Sequence, residues 1–485
     1  MKRRDFIKAA GVLAGTALAG ERVTGGHSSR TAEPADARPN VLIVMTDQQS
    51  ADAMSCRMGR RFINTPAMDS LAAGGVSFTR AYTPNPLCVP ARTSLFTGRP
   101  PHLTGFETND LKRPLANDDR CFATLFRDSG YDTAYFGKWH LPFPAKDTAA
   151  HGFDLMGAIK NNGADPDIPA PAVAFIKKPR EKPFLLVTSF VNPHNICEWA
   201  RGEELKDGDV GAPPPPEACP PAVENLAPPE GEADGMLLMR RSYQNNALFP
   251  VGGFDRNKWR QYRWAYFRMI EKVDAHLATI LAALRESGRF DQTLIVFTAD
   301  HGDAQGAHGW NQKTTFYDNV ARVPLMISGP GAARGGLSDR LVNTGTDLLP
   351  TLCDFAGIRA PGALPGRSLR ASTLDPSTAD PRTYVVSEIN MVQGGPVDGQ
   401  TPTMQGRMVR SVRFKYCAYS IGTQRESLFD QDRDPGEMVN LARRAESRQE
   451  LIRHRQFLAD WCRETKDGFA IPVESAPASS TIVGH

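Results

Sequence analysis

Three things are scarce in this 485-residue chain, namely net charge, cysteine in any repeating pattern, and an apolar run of bilayer length. Each scarcity removes a class of function. Lys plus Arg number 57 against 54 for Asp plus Glu, so no global field argues for a nucleic-acid partner. The eight cysteines, at 56, 88, 121, 197, 219, 353, 417 and 462, show no CxxC and no regular spacing. A disulfide or two is permitted in an exported protein, but a core of this size does not need staples, and pairing cannot be read from the sequence. The one segment that raises the question of a membrane, residues 1–20, is too short and too rich in glycine to span comfortably, and it carries no lipobox cysteine. No stable membrane insertion is expected.

What is present is an ordinary globular composition, 41% hydrophobic and 23% charged, long enough for one large domain with a smaller appendage. Arg3-Arg4 ahead of Phe6 and a short Ala/Gly/Leu run has the layout of a bacterial twin-arginine signal, with Ala17-Leu18-Ala19 as a small-x-small cleavage site. The expected partner is therefore the twin-arginine export machinery, and the expected location is periplasmic or secreted. Residues 21–37 are small and polar and read as a flexible lead-in.

The rest of the chain repeats one arrangement, an apolar run that stops at polar residues unsuited to a core. Val41 to Met45 ends at Thr46-Asp47-Gln48-Gln49, and Tyr131 to Gly137 ends at Lys138-Trp139-His140. Phe184 to Phe190 leads into Asn192-Pro193-His194, and Leu294 to Phe297 leads into Asp300-His301-Gly302-Asp303. Helical spacing lies between them at Pro66 to Ala73, Phe122 to Ser129 and Lys258 to Ser287, with another helix closing at Gly357. Strands alternating with helices predict an α/β fold, a large mixed and mostly parallel sheet sandwiched by helices. In such a sheet ligands bind beyond the carboxyl ends of the strands, where all four polar clusters fall. Residues 202–235, rich in proline, read as a surface loop or as an insertion shaping the pocket rim, and 358–381 as a connection. Beyond it, Tyr384 to Ser387 and Met408 to Tyr419 predict antiparallel strands, followed by a helix near 444–463. The domain reading is thus a catalytic domain over 38–370, a small C-terminal antiparallel-sheet subdomain over 371–470, and a tail over 471–485.

Asp47, Gln48, Asp300 and His301 offer hard oxygen ligands plus one nitrogen at strand ends, which suits a divalent cation. Each pair alone is weak, because an aspartate after a strand is often a helix cap. Cys88-Val89-Pro90-Ala91-Arg92 puts a thiol two residues before a proline and four before an arginine. Pro90 fixes its φ and lacks an N–H, which predicts a helix start there, with Cys88 at an N-terminus that favours an anion. Three fixed positions do not by themselves separate a working cysteine from a small buried one.

With its flanks, Thr93, Ser94, Thr97, Gly98 and Arg99, the motif resembles the signature of the type I sulfatases, members of the alkaline-phosphatase-like superfamily. The resemblance covers most of 38–357, and Leu428-Phe429-Asp430, Asp434-Pro435 and Asn440-Leu441 echo its C-terminal pattern. It implies that Cys88 is oxidised to formylglycine by a formylglycine-generating enzyme, and that one divalent cation, calcium first with manganese or magnesium as alternatives, is bound by Asp47, Gln48, Asp300, His301 and residue 88. It further implies a sulfuric ester hydrolase in which Arg92 steadies the hydrated aldehyde, while Lys138 and Lys313 hold sulfate oxygens. In the same scheme His194 or Lys313 protonates the departing alcohol and His140 takes a proton from the remaining hydroxyl. Asn109 and His308 are candidate substrate contacts. The expected substrate is a small-molecule or oligosaccharide sulfate ester. One departure stands out, since many sulfatases carry Asp-Asp where this chain has Asp47-Gln48. Phosphonate monoester and phosphodiester hydrolases of the superfamily also carry Asp-Gln, and they are the alternative reading; a catalytically silent binding protein on the same scaffold is the second.

Overall fold

The computed structural model describes residues 38–112, 120–362 and 364–472. The expected signal segment, the lead-in and all but the start of the expected tail lie outside the described residues. The frame is an eight-stranded sheet built from β1 (Asn40–Asp47), β2 (Gly75–Tyr82), β3 (Asp132–Gly137), β4 (Leu155–Gly157), β5 (Phe184–Pro193), β6 (Thr293–Ala299), β7 (Leu325–Ser328) and β8 (Gly336–Asn343). Its order is β4-β3-β5-β1-β6-β7-β2-β8, and β7 is the one strand that runs against the others.

β1 sits in the middle because it can be buried on both sides. All eight of its residues are buried, and its side chains alternate between two cores. Leu42 and Val44 pack on the face covered by the 31-residue helix Arg256–Glu286, through Tyr262, Tyr266, Ile270 and Val273. Val41, Ile43 and Met45 pack on the opposite face with Leu95, Phe96, Phe122 and Leu348, from the helices Cys88–Thr97, Phe122–Asp128 and Thr344–Ala356. The latter ends at Gly357, whose φ of 64° lies in the left-handed region that glycine occupies without strain.

A second, four-stranded antiparallel sheet follows in the order β12-β11-β10-β9, from β9 (Tyr384–Met391), β10 (Met404–Ser411), β11 (Phe414–Tyr419) and β12 (Glu426–Asp430). Val409, Tyr416 and Leu428 meet the helix Arg448–Thr465 on one face. On the other, Met408, Cys417 and Phe429 pack with Tyr82 of β2 and with Tyr317 and Val320 from the segment before β7. Both faces are therefore covered.

The mixed, mostly parallel sheet and the separate antiparallel sheet are as the sequence leads one to expect. β2, β4, β7, β8 and β12 are not anticipated by it. β8 exposes Leu337 and Asp339 along its length and β7 has only four residues, so neither gives a continuous apolar run. The eight thiols are all free, so the disulfides that export would permit are not formed. Among the described residues no helix is long and apolar enough to cross a membrane.

Candidate active site

Register places the four polar clusters side by side. β1 and β6 run parallel with Thr46 opposite Ala299, so Asp47 and Asp300 leave adjacent strands at the same level. On the other side, Met45 pairs with Ser189 of β5 and Ser189 with Gly137 of β3, which brings Lys138 to the same edge. Cys88 opens the helix Cys88–Thr97 two residues earlier than Pro90 suggests, with Leu87 extended before it. The proline then falls within the first four positions, where a backbone N–H would have no intrahelical partner anyway. Every residue of this helix is buried, and Asn109 Oδ1 accepts the Val89 N–H at 3.0 Å in its first turn.

Arg92 ties the edge together. Its Nε donates to Asp300 Oδ2 at 2.8 Å, Nη2 to Asp47 Oδ2 at 3.1 Å, and Nη1 to Ser189 Oγ at 2.9 Å, all within a buried setting. Lys138 Nζ lies 2.7 Å from Asp47 Oδ2. A guanidinium satisfied on three sides by fixed partners is held in place, and removing either carboxylate would strand a buried charge.

The Cys88 sulfur sits at the meeting point. Lys313 Nζ is 3.2 Å away, His301 Nε2 3.3 Å and Asp47 Oδ1 3.8 Å. Burial and the Asp47 carboxylate both push this thiol up, but Lys313, Lys138 and His301 outweigh them and hold it well below the usual thiol range. The other seven cysteines are pushed the opposite way, chiefly by burial. The position of Cys88 is thus built to hold negative charge.

Asp47, Cys88, Asp300 and His301 present ligand atoms all within 4.8 Å of one another. His301 Nδ1 faces the Gly302 carbonyl at 3.0 Å, which keeps a proton on that nitrogen and turns Nε2 toward the cluster. Asp47 is held well below the usual carboxylate range, since Lys138, Arg92 and Lys313 overcome its burial. Two carboxylates and an imidazole nitrogen, grouped around residue 88, form a donor set that fits a divalent cation.

Gln48 adopts a left-handed φ of 72° directly after β1. Its Nε2 donates to Asp303 Oδ2 at 2.8 Å, and Tyr262 Oη donates to the same carboxylate at 2.9 Å. Asp303, pushed up to about 6 by burial, therefore supplies the second acid behind residue 48 that the sequence motif lacks. Its position two residues after His301 was the available signal. Ser189 and Tyr262 carry none, because only the sheet and the long helix bring them there.

His194 follows the end of β5, its Nδ1 buried without a hydrogen-bond partner and 3.9 Å from Glu198. Burial first, then Lys313 and Lys138, hold its pKa well below the ordinary histidine value, so the ring is neutral. His140, at a left-handed φ of 44°, also has an unpartnered buried Nδ1. His308 is engaged elsewhere. Its ring lies against Tyr317 with centroids 3.9 Å apart, and its nitrogens face Asn225 and the Ala227 carbonyl at 3.2 Å.

The family model named Sulfatase matches residues 39–358, about two thirds of the chain. The chain belongs to the sulfatase family. A second family model, the C-terminal part of N-sulphoglucosamine sulphohydrolase, matches residues 306–460 of this sulfatase. It is 31% identical to a Δ4,5-hexuronate-2-O-sulfatase of Bacteroides thetaiotaomicron, over 92% of this chain and 93% of the relative. It is 25% identical to an N-acetylglucosamine-6-O-sulfatase of the same species, over 89% and 87%. Among solved structures, a 2-O GAG sulfatase superposes with a TM-score of 0.78 at 27% identity, covering 90% of this chain and 95% of the other.

Proposed function

We propose that this sulfatase releases sulfate from an O-sulfated saccharide, using a residue derived from Cys88. The observation that carries the reading is the convergence of Lys313, His301 and Asp47 on the one thiol in the chain that is held down. The relatives that act on sulfated sugars support the substrate class. Converted to formylglycine, residue 88 would supply a hydrated-aldehyde oxygen as nucleophile where the sulfur now lies, and a cation held by Asp47, Gln48, Asp300 and His301 would neutralise sulfate charge.

The chain's own groups do the rest. Lys138 and Lys313 bind sulfate oxygens and hold sulfur in line with residue 88. Arg92, locked by Asp47, Asp300 and Ser189, fixes the carboxylates and the helix start at their working separation. His194 is neutral and so positions the departing oxygen, while the ammonium of Lys313 is the protonated group that we assign to it. His140, with its free Nδ1, takes up the proton at residue 88 when sulfate leaves. Asn109 is assigned to the first turn of the Cys88 helix, and His308 to support of the segment around Asn225. Arg3-Arg4 and the short run after them support export to the periplasm or beyond through the twin-arginine machinery.

Mass spectrometry of the peptide holding residue 88, alongside turnover of a panel of sulfated saccharides, tests the proposal. The aldehyde mass should accompany activity, and Cys88→Ala should abolish it. Full activity with an unmodified thiol would overturn the reading. Calcium should raise the melting temperature of chelator-treated protein, and the Asp300→Ala variant should not respond.

A further inference from the structure

The turn before β12, the segment that follows it, and the first turn of the helix Arg448–Thr465 enclose a pocket of about 580 Å³. None of its lining residues belongs to the Cys88 cluster. Five arginines line it, Arg425, Arg443, Arg444, Arg448 and Arg455, against a single acid, Glu426. That acid is already used: Arg455 grips it with Nε at 2.8 Å and Nη2 at 2.5 Å, and Tyr416 Oη donates to it at 2.7 Å. Arg444 reaches Glu230 at 2.5 Å. Arg443 meets only the neutral Gln424 Oε1, at 3.3 Å, and among the described residues neither Arg443 nor Arg425 forms an ion pair with a carboxylate. Arg425 and Arg443 therefore give the wall a surplus of positive charge. The N-terminus of an 18-residue helix adds its own partial positive charge to that wall.

The volume lies within the range of about 300 to 1,000 Å³ typical of pockets that hold an organic ligand, which is more than a bare ion needs. Guanidinium forks match two oxygens of one anionic group, so the chemistry favours sulfate or carboxylate groups carried on a larger body. We infer that this pocket is a second, non-catalytic binding site for an anionic saccharide, gripping sulfate or carboxylate groups of a polymer. The inference rests on the sulfated-saccharide reading above for the identity of the occupant, and on the pocket itself for the site. Its effect is to raise the local concentration of polymer at the protein without touching the reacting bond.

The experiment uses the full chain and a fluorescently labelled sulfated hexasaccharide, titrated by anisotropy in a Cys88→Ala background so that the probe is not consumed. Arg425→Glu with Arg443→Glu should weaken binding about tenfold or more, with a shallower salt dependence. Arg425→Gln with Arg443→Gln should act in the same direction, and its circular dichroism should match the parent. In the protein with residue 88 intact, the same pairs should leave kcat/KM for a small aryl sulfate unchanged and raise KM for a sulfated polysaccharide with kcat retained. Unchanged hexasaccharide affinity in both pairs would overturn the site. Equal affinity for a single-stranded oligonucleotide of matched charge would overturn the saccharide assignment. Displacement by inorganic sulfate at the concentration of the probe would reassign the pocket to a free small anion. Binding is read without turnover, so failure of the sulfatase reading would appear in the aryl sulfate assay alone.

Discussion

Residue 48 is where the motif and the molecule differ most. Read as sequence, Gln48 is a carboxylate lost from a metal pair; read in place, its amide is braced by Asp303 at 2.8 Å. Gln48→Asp would set two carboxylates against each other and raise the negative charge facing the transferred group. Aryl phosphodiester hydrolysis should then fall more than aryl sulfate hydrolysis, measured as kcat/KM for matched substrates. An unchanged ratio would show that residue 48 does not set the preference. His308 gives a prediction of a different kind. Burial pushes it down from 6.5 to about 4, and it stays neutral between the Ala227 carbonyl and the Asn225 amide. Between those two values the unfolded chain binds a proton that the folded chain does not, so stability rises with pH across the window and is lost on acidification. The full effect is at most about 3 kcal/mol. Denaturant midpoints between pH 4 and 6.5 should show this slope, and His308→Gln should flatten it.

The ends of strands, more than their middles, carry the site. β5 is buried along its length, and its last turn toward His194 is held by Asp165, whose carboxylate accepts the Val191 N–H at 2.5 Å and the Asn192 N–H at 2.9 Å. Asp207 in turn accepts the Asp165 and Gly163 N–H groups at 2.9 Å. Asp165→Asn keeps the shape but turns one acceptor into a donor facing an N–H, which costs about 1.5–3 kcal/mol of local support. The expected outcome is a kcat at least tenfold lower with the helical circular dichroism retained, as expected when His194 moves off line. A variant with normal kcat would show that His194 is held by other means.

The whole molecule joins two sheets through a buried ion cluster. Lys415 of β11 contacts Asp318 Oδ1 and Glu437 Oε1, each at 2.6 Å, and its Nζ also donates to the Phe316 carbonyl at 2.8 Å. Asp318 lies in the segment before β7, two residues beyond Phe316 and five beyond Lys313. Lys415→Met takes the cation from Glu437 and leaves Asp318, among the described residues, only its pairing with Arg322, a loss of about 3–5 kcal/mol by comparison with other broken buried pairs. The melting temperature should drop by several degrees and activity should fall with it, since the loop carrying Lys313 leans on the same joint. A variant of unchanged melting temperature would show that the cluster contributes no net stability.

At this scale the division of information is plain. The sequence by itself determined the fold class, because continuous apolar runs ending in Asp47, Lys138, Asn192 and Asp300 can only be strands buried on both faces with their polar ends out. It also made the family legible, because Cys88, Pro90 and Arg92 keep their spacing together with the flanks Thr93, Ser94, Thr97, Gly98 and Arg99 and with the distant Lys138, His194, Asp300-His301 and Lys313. Only the tertiary structure decided which groups meet. Asp303 and Tyr262 behind Gln48, Ser189 under Arg92, Asp165 under the end of β5, and the arginine pocket between β12 and the last helix all join residues distant in the chain. Such contacts leave no local pattern, since hydrogen bonds and charge act through space and periodicity records only which side of an element is buried.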